Sequence, residues 1–360
     1  MIGPLIEALR PRQWTKNLLV FAGVLFSRQI GDLPLVLRAV EGFFAFSLVA
    51  SASYVWNDLR DLEADRLHPK KRLRPIASGR LPVGVARVAA PLVLIVGAML
   101  AWRLGTGFVS VLAGYLLLNL VYTAFLKRQV LLDVFTISIG FVLRAIGGVE
   151  LLLPVAPGTE LSPWLLVCTF FGALFLALSK RRRELAGAGQ QQASRQREVL
   201  EAYTPALLDG LLMVTAAASM MGYALYTIWP GTVAKFGTEA LLYTVPFVAY
   251  GIFRYLYLVG VSDRTEDPSH VLLTDRPLAV CVLGYLVAVL IILYGRGRLP
   301  ARDPAPRGSE VSGSRRAPSS TWGSRSALAG PTATTRSRRS FNRSRWRTRC
   351  ASVQDGKASA

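Results

Sequence analysis

The sequence predicts an all-α, polytopic membrane protein, on the grounds of its hydrophobic content and its long uncharged runs. Hydrophobic residues make up 52% of the 360-residue chain, whereas charged residues make up 18%. No charged side chain occurs in residues 104–126, 161–179, 210–234 or 277–295. A helix needs about 20 apolar residues to span a bilayer, more than a buried helix of a soluble protein usually has. The composition therefore excludes a soluble globular enzyme and a disordered protein.

Nine apolar runs predict nine membrane-spanning helices. The first run, 17–30, is the least apolar, while the second contains Glu41 and the fifth contains Arg144. Charges inside a membrane span are usually functional or paired, and the pairing partner of Arg144 would be Glu150 or Glu41. The other eight runs, in chain order, are 38–56, 84–102, 106–125, 133–150, 162–179, 207–228, 237–257 and 277–295.

The charges of the connecting segments predict the orientation of these spans. With the N-terminus inside, the inside segments hold 20 Arg and Lys residues and the outside loops hold four. The positive-inside rule therefore places the N-terminus in the cytoplasm. The two long ionic loops, 57–83 and 180–206, then lie on the cytoplasmic face of the plasma membrane, where we expect the chemistry.

The last part of the chain differs in composition from the rest. Residues 301–360 hold 12 Arg and one Lys against three acidic residues, which is half of the net charge of +20. They show no periodic apolar pattern, which is typical of disorder. We therefore divide the chain into a transmembrane catalytic domain, 1–296, and a basic disordered tail, 297–360. The tail alone does not favour a nucleic-acid partner.

An acidic motif follows the second predicted span. At 100° per residue, Asn57, Asp58, Asp61 and Asp65 lie within one quarter of a helix surface. Mg²⁺ prefers such oxygen ligands and is commonly held by one or two carboxylates plus substrate phosphates. The alternative is a solvated helix end, but like charges at these spacings repel unless a cation lies between them. These four residues are the predicted metal ligands, and the three aspartates are the predicted catalytic residues.

Basic residues accompany this motif in three of the four inside loops and indicate an anionic ligand. The alternative is the ordinary positive charge of cytoplasmic loops. Glu184 is either a second metal contact or a residue that orients Lys180, and Lys127 is either a ligand contact or an anchor at the membrane interface. The predicted substrate-binding residues are Lys16, Lys70, Arg72, Arg74, Tyr122, Lys127, Lys180, Arg181, Arg182, Glu184 and Tyr203.

The pattern NDxxDxxxD at 57–65, placed after an inward-going second span, resembles the UbiA-type intramembrane prenyltransferase superfamily. The stretches RPRQWTKN at 10–17 and DRLHPKKRLRPIASG at 65–79 are similar to its decaprenyl-phosphate phosphoribosyltransferase branch. So are FRYLY at 253–257 and LLTDRP at 272–277. The resemblance covers about 1–296 and leaves the tail outside.

This resemblance implies a nine-helix bundle around a central cavity capped by cytoplasmic loops. It implies Mg²⁺-dependent transfer of 5-phosphoribose from phosphoribosyl diphosphate to a polyprenyl phosphate such as decaprenyl phosphate, with release of diphosphate. The product would supply arabinose donors for cell-wall polysaccharide. The resemblance leaves open whether the protein forms a homo-oligomer.

Two other functions remain as alternatives. One is transfer of a prenyl group from a prenyl diphosphate to an aromatic or other acceptor, which the same first motif could serve. Prenyl-diphosphate users in the superfamily typically carry a second motif, DxxxD, where this chain has KRRRE at 180–184. The other is a transporter or channel, which would favour polar residues near the midplane and inverted repeats instead of ionic clusters at one face.

Overall fold

The computed structural model describes residues 2–27, 30–68, 71–157, 159, 162–196, 198–261 and 274–294. All regular structure in these ranges is helical, which confirms the predicted all-α class. The tail 297–360 and Lys70 lie outside the described residues. The α-helices are α1 Ile2–Leu9, α2 Ala22–Phe26, α3 Leu33–Arg60, α4 Leu62–Leu67, α5 Val83–Leu104, α6 Thr106–Ala124, α7 Leu132–Glu150, α8 Pro163–Gln196, α9 Pro205–Ile228, α10 Pro230–Phe236, α11 Val245–Val261 and α12 Arg276–Tyr294.

Eight stretches of the described chain are long and apolar enough to cross a membrane. They are α3, α5, α6, α7, the first 24 residues of α8, α9, α11 with the 3₁₀ turn before it, and α12. These eight correspond to the second to ninth predicted spans. The predicted multi-pass membrane architecture is therefore confirmed, while the count of nine stays a prediction.

The first predicted span, 17–30, has a different form from the α-helix that was expected. The chain forms a 3₁₀ helix over Pro11–Phe21 and continues as the short α2. A 3₁₀ helix rises about 2.0 Å per residue, so these 16 residues reach about 30 Å, the thickness of the hydrocarbon core.

The contacts of this 3₁₀ segment and α2 reach both ends of the bundle. At one end Arg10 pairs with Asp58 near the end of α3. At the other end the hydroxyl of Tyr294, the last residue of α12, donates to the carbonyl of Leu25 at 3.1 Å. The segment is too short for an α-helical span, but it extends from the motif side of the bundle to the opposite side.

Helix α7 is the most buried of the eight spans and lies between two apolar clusters. One cluster contains Phe46 of α3 and Phe108 of α6, and the other contains Leu178 of α8 and Leu212 of α9. Glycine lets α7 approach the 3₁₀ segment closely, because a Cβ on Gly148 would lie 2.2 Å from the carbonyl oxygen of Val20. This position turns the polar residues of α7 toward the interior of the bundle.

Candidate active site

The acidic motif spans the end of α3, a single turn residue and α4. Asp61 is the turn residue, and the helical hydrogen bonds continue through it: its N–H donates to the Asn57 carbonyl at 2.9 Å, and the N–H of Asp65 donates to the Asp61 carbonyl at 2.8 Å. Asp58 and Asp65 are both 3% exposed, whereas Asp61 is half-buried. The helical hydrogen bonding of the motif therefore continues across the break between the two helices.

Three cations from other parts of the chain neutralise the motif. Arg74 Nη1 donates to Asp58 Oδ1 at 3.0 Å and to Asp65 Oδ2 at 2.6 Å, which holds the two carboxylates together. Arg10 also pairs with Asp58, and Lys127 Nζ lies 2.8 and 2.9 Å from the two oxygens of Asp61. Burial raises the pKa of Asp65, and the neighbouring Arg74 opposes that shift. The repulsion between the carboxylates is thus offset by the protein's own side chains.

The donor set of this motif fits Mg²⁺ that is shared with a phosphate ligand. Within the described chain, the buried Oδ1 of Asn57 has no hydrogen-bond partner, so one hard oxygen acceptor is left unsatisfied. The half-buried carboxylate of Asp61 belongs to the same motif. No three His, Cys, Asp or Glu side chains of the described ranges converge on one metal position. Mg²⁺ usually has few protein ligands and completes its shell with phosphate oxygens and water. The metal site of Asn57, Asp58, Asp61 and Asp65 therefore stays a prediction.

A cavity of about 790 Å³ extends into the bundle. Its wall is mainly apolar and comes from the 3₁₀ segment, α3, α6, α7, α8, α9, α11 and α12. Tyr54 of α3 lines it one turn before Asn57, which brings the cavity next to the acidic motif. Of the predicted substrate-binding residues, Lys16, Tyr122, Lys180 and Arg181 line this cavity.

Arg181 is held in a buried network with two acidic residues. Its Nε donates to Asp133 Oδ2 at 2.7 Å and its Nη1 donates to Glu184 Oε2 at 2.6 Å. The hydroxyl of Tyr203 donates to the other oxygen of Asp133 at 2.8 Å and accepts from the N–H of Leu131. Burial and the adjacent Asp133 raise the pKa of Tyr203. Tyr203 thus braces the start of α7 and is not among the residues that line the cavity.

The remaining predicted substrate-binding residues that the structure describes do not line the cavity. Arg182 pairs with Asp209 on the exposed surface, with Nε 2.7 Å from Oδ1. Arg72 is exposed, in the loop after α4. Glu184 contacts Arg181, and the structure does not bring it to the acidic motif. Lys127 pairs with Asp61, so it does more than anchor the chain at the membrane interface.

The expected ion pair of Arg144 with Glu150 or Glu41 was wrong. Its guanidinium donates to the Asn17 side chain, the Tyr115 hydroxyl and a backbone carbonyl, whereas Glu41 lies 3.5 Å from Arg103. Neutral oxygen acceptors in distant helices leave no spacing signal in a sequence.

The sequence analysis did not predict two residues that contact the candidate site. They are Arg10, which pairs with Asp58, and Asp133, which pairs with Arg181. Arg10 opens the 10–17 stretch quoted above, which was the available signal. Asp133 was visible only as an acidic residue at the start of a predicted span.

Comparison with known proteins agrees with this architecture. A family model described as the UbiA prenyltransferase family matches residues 17–274. The chain belongs to the UbiA prenyltransferase family. Among its relatives are proteins named decaprenyl-phosphate phosphoribosyltransferase. The protein from Corynebacterium glutamicum is 36% identical over 81% of this chain and 86% of its own length, and that from Mycolicibacterium smegmatis is 35% identical over 82% and 93%.

Solved structures show the same fold for this UbiA-family chain. A UbiA homologue from Archaeoglobus fulgidus, solved bound to GPP and Mg²⁺, matches with a TM-score of 0.61 over 81% of this chain and 99% of that one. The sequence identity is 18%, so the similarity concerns the fold alone.

Proposed function

We propose that this protein transfers 5-phosphoribose from phosphoribosyl diphosphate to a polyprenyl phosphate, with release of diphosphate. The charge of the cavity carries the proposal: its charged lining residues within the described chain, Lys16, Arg144, Lys180 and Arg181, are all basic. Both substrates bring phosphate groups, and Arg and Lys are the side chains that recognise them. The names of the relatives at 34–36% identity support the same reaction.

The acidic motif is the proposed binding site for the diphosphate of the donor. Asn57 and Asp61 would hold Mg²⁺ on the diphosphate, while Asp58 and Asp65 are paired with Arg74. When bound there, Mg²⁺ supplies positive charge that stabilises the leaving diphosphate. Lys127, already beside Asp61, is placed to contact the same group. The predicted catalytic role of the aspartates is thus to position the leaving group.

The proposed acceptor is a lipid phosphate that needs no activation by a base. An oxygen of this phosphate forms a bond to C1 of the ribose as the bond from C1 to the diphosphate oxygen breaks. The phosphate is already an anion near neutral pH, so no proton has to be removed from it. The apolar part of the cavity suits the polyprenyl chain, and the basic side chains Lys16 and Lys180 suit its head group. We place this reaction at the cytoplasmic face of the plasma membrane.

The test uses the full chain purified in detergent with Mg²⁺, decaprenyl phosphate and labelled phosphoribosyl diphosphate. We expect label in the organic phase, and we expect EDTA to abolish it. Label that resists EDTA would contradict the metal assignment, and no label in the organic phase would contradict phosphoribosyl transfer.

The family model, described as the UbiA prenyltransferase family, favours a second function, the transfer of a prenyl group. The homologue from Archaeoglobus fulgidus was solved with GPP and with DMAPP, each together with Mg²⁺. A parallel assay with a prenyl diphosphate and a 4-hydroxybenzoate-like acceptor tests this alternative. Prenyl transfer without phosphoribosyl transfer would assign the protein to that chemistry.

A further inference from the structure

Arg144 is a cation buried in the membrane-spanning part of the bundle. It lies in α7, is 5% exposed and lines the cavity. Its Nη1 donates at 2.7 Å to the carbonyl of Gly140, one turn earlier. The guanidinium therefore points toward the N-terminal end of α7, and Gly140 lies about 12 Å along the helix from that end.

The surroundings of Arg144 are neutral. Its Nε donates to Asn17 Oδ1 at 2.7 Å and its Nη2 to the Tyr115 hydroxyl at 2.8 Å. The rings of Tyr115, Phe141 and Phe46 lie 4.7, 5.1 and 5.6 Å from the guanidinium carbon. No acidic side chain of the described ranges forms an ion pair with it. Among the described residues, dipoles and aromatic faces thus stabilise the positive charge.

A permanent charge without a counter-ion is costly at this depth in a membrane. The three hydrogen bonds use one N–H on each guanidinium nitrogen, which leaves one further N–H on each terminal nitrogen. Paired N–H groups of arginine match the oxygens of a phosphate. Lys16, adjacent in sequence to Asn17, adds a second cation to the same cavity wall.

We propose that Arg144 binds a phosphate monoester deep in the cavity, as a site separate from the acidic motif. Under the proposed function two ligands carry this group, the 5-phosphate of the donor and the phosphate of the lipid acceptor, so the identity of the ligand rests on that function. Binding of the phosphate supplies the counter-charge that the described side chains lack.

A purely structural role is the competing explanation, because Arg144 ties α7 to α6 and to the 3₁₀ segment. Arg144→Gln removes the charge and Arg144→Lys keeps it. Arg38→Gln is the matched control. Arg38 also lies within a predicted span and donates to two backbone carbonyls, Leu104 and Leu151, but it does not line the cavity.

The experiment measures binding of ribose 5-phosphate and farnesyl monophosphate to the full chain in detergent, with ribose and farnesol as phosphate-free counterparts. We expect Arg144→Gln to weaken binding of one phosphate probe by at least about tenfold, with an intermediate loss in Arg144→Lys. The phosphate-free probes and the Arg38→Gln variant should be unaffected. Loss for ribose 5-phosphate assigns the site to the donor, and loss for farnesyl monophosphate assigns it to the lipid.

Unchanged binding of both phosphate probes in folded Arg144→Gln overturns the proposal, as does the absence of phosphate-dependent binding in the native chain. If Arg144→Gln does not fold, the Arg144→Lys variant provides the test. Native affinity of this variant for both phosphate probes would overturn a site that depends on the paired N–H groups of the guanidinium. The readout is binding, so it is independent of turnover. Failure of phosphoribosyl transfer with retained Arg144-dependent binding refutes the proposed function alone.

Discussion

At the scale of single residues, the acidic motif already has its counter-ions before any substrate arrives. Arg10, Arg74 and Lys127 satisfy the three aspartates, whereas the buried oxygen of Asn57 has no partner within the described chain. The helical spacing of the motif predicted that these side chains share one face, because spacing is a local property. It did not predict the cations, because Arg10 and Lys127 lie 48 and 66 residues from their partners.

The role of Asp61 can be tested against a neighbouring carboxylate. Asp61→Asn should lower the phosphoribosyl transfer rate by at least about 100-fold, because a neutral amide would hold Mg²⁺ on the diphosphate less tightly than the carboxylate does. The control is Glu63→Gln: the Glu63 side chain is 82% exposed and pairs with the exposed Arg66 of the same helix, so this variant should keep the native rate. A normal rate in Asp61→Asn would refute the metal assignment.

Arg74 is expected to stabilise the fold in a pH-dependent way. Arg74→Gln leaves two buried carboxylates without their shared partner, and we expect a loss of about 1–3 kcal/mol at neutral pH. Burial already raises the pKa of Asp65, and removal of Arg74 should raise it further. The folded variant then binds protons more tightly than the unfolded chain, so its stability falls as the pH rises above the ordinary Asp value.

Thermal unfolding in detergent measures this effect. The difference in melting temperature between Arg74→Gln and the native chain should be small near pH 4 and large near pH 8. Mg²⁺ at pH 8 should restore part of the loss, because a cation between the carboxylates replaces the guanidinium charge. A pH-independent difference would show that Arg74 acts through packing and not through its charge.

At the scale of elements, long apolar runs predicted the eight longer spans well, since each has to cover the bilayer with one regular helix. The first segment departs from this rule because its rise per residue is that of a 3₁₀ helix, which apolar periodicity does not reveal. Its packing depends on glycine: a Cβ on Gly23 would lie 1.9 Å from the carbonyl oxygen of Gly148. Backbone contacts of this kind are invisible to a pattern of apolar residues.

The close approach of the first segment to α7 can be tested with alanine. Gly148→Ala would place a methyl group 2.2 Å from the Val20 carbonyl oxygen, which forces the two segments apart and should cost about 1–3 kcal/mol. Gly114→Ala in α6 is the control, because its added Cβ meets no described atom within 4 Å beyond the adjacent residues and backbone of its own helix. The control should gain stability by up to about 1 kcal/mol from helix propensity. Equal melting temperatures for the two variants would contradict the close packing.

At the scale of the whole molecule, the acidic motif and its counter-ions lie together at one end of an apolar bundle. This asymmetry could be predicted from loop composition, because it depends on counts of charges. A central cavity was implied by the family resemblance, but its lining could not be predicted from composition, since residues of many helices form it and its basic side chains combine positions as distant as Lys16 and Arg181.

The tail is proposed to be dispensable for activity. The family match ends at residue 274, and the acidic motif, the cavity and their counter-ions all come from residues before 295. A chain that ends at Pro300 should therefore keep the native transfer rate in the detergent assay. A clear loss of activity, in a truncated protein that melts at the native temperature, would assign the tail a role in catalysis.

The side of the membrane on which the N-terminus lies, relative to the acidic motif, tests whether the first segment crosses. With the motif in the cytoplasm, nine crossings place the N-terminus there too, whereas eight place it outside the cell. We expect nine, because the segment from Pro11 to Phe26 is about 30 Å long and contacts both ends of the bundle. A membrane-impermeant maleimide should therefore label Gly3→Cys in the Cys350→Ala background only after permeabilisation, and Cys168 and Cys281 should add little signal, since they are at least partly buried. Glu63→Cys in the same background should behave in the same way, and labelling of Gly3→Cys in intact cells, with Glu63→Cys still protected, would establish eight crossings.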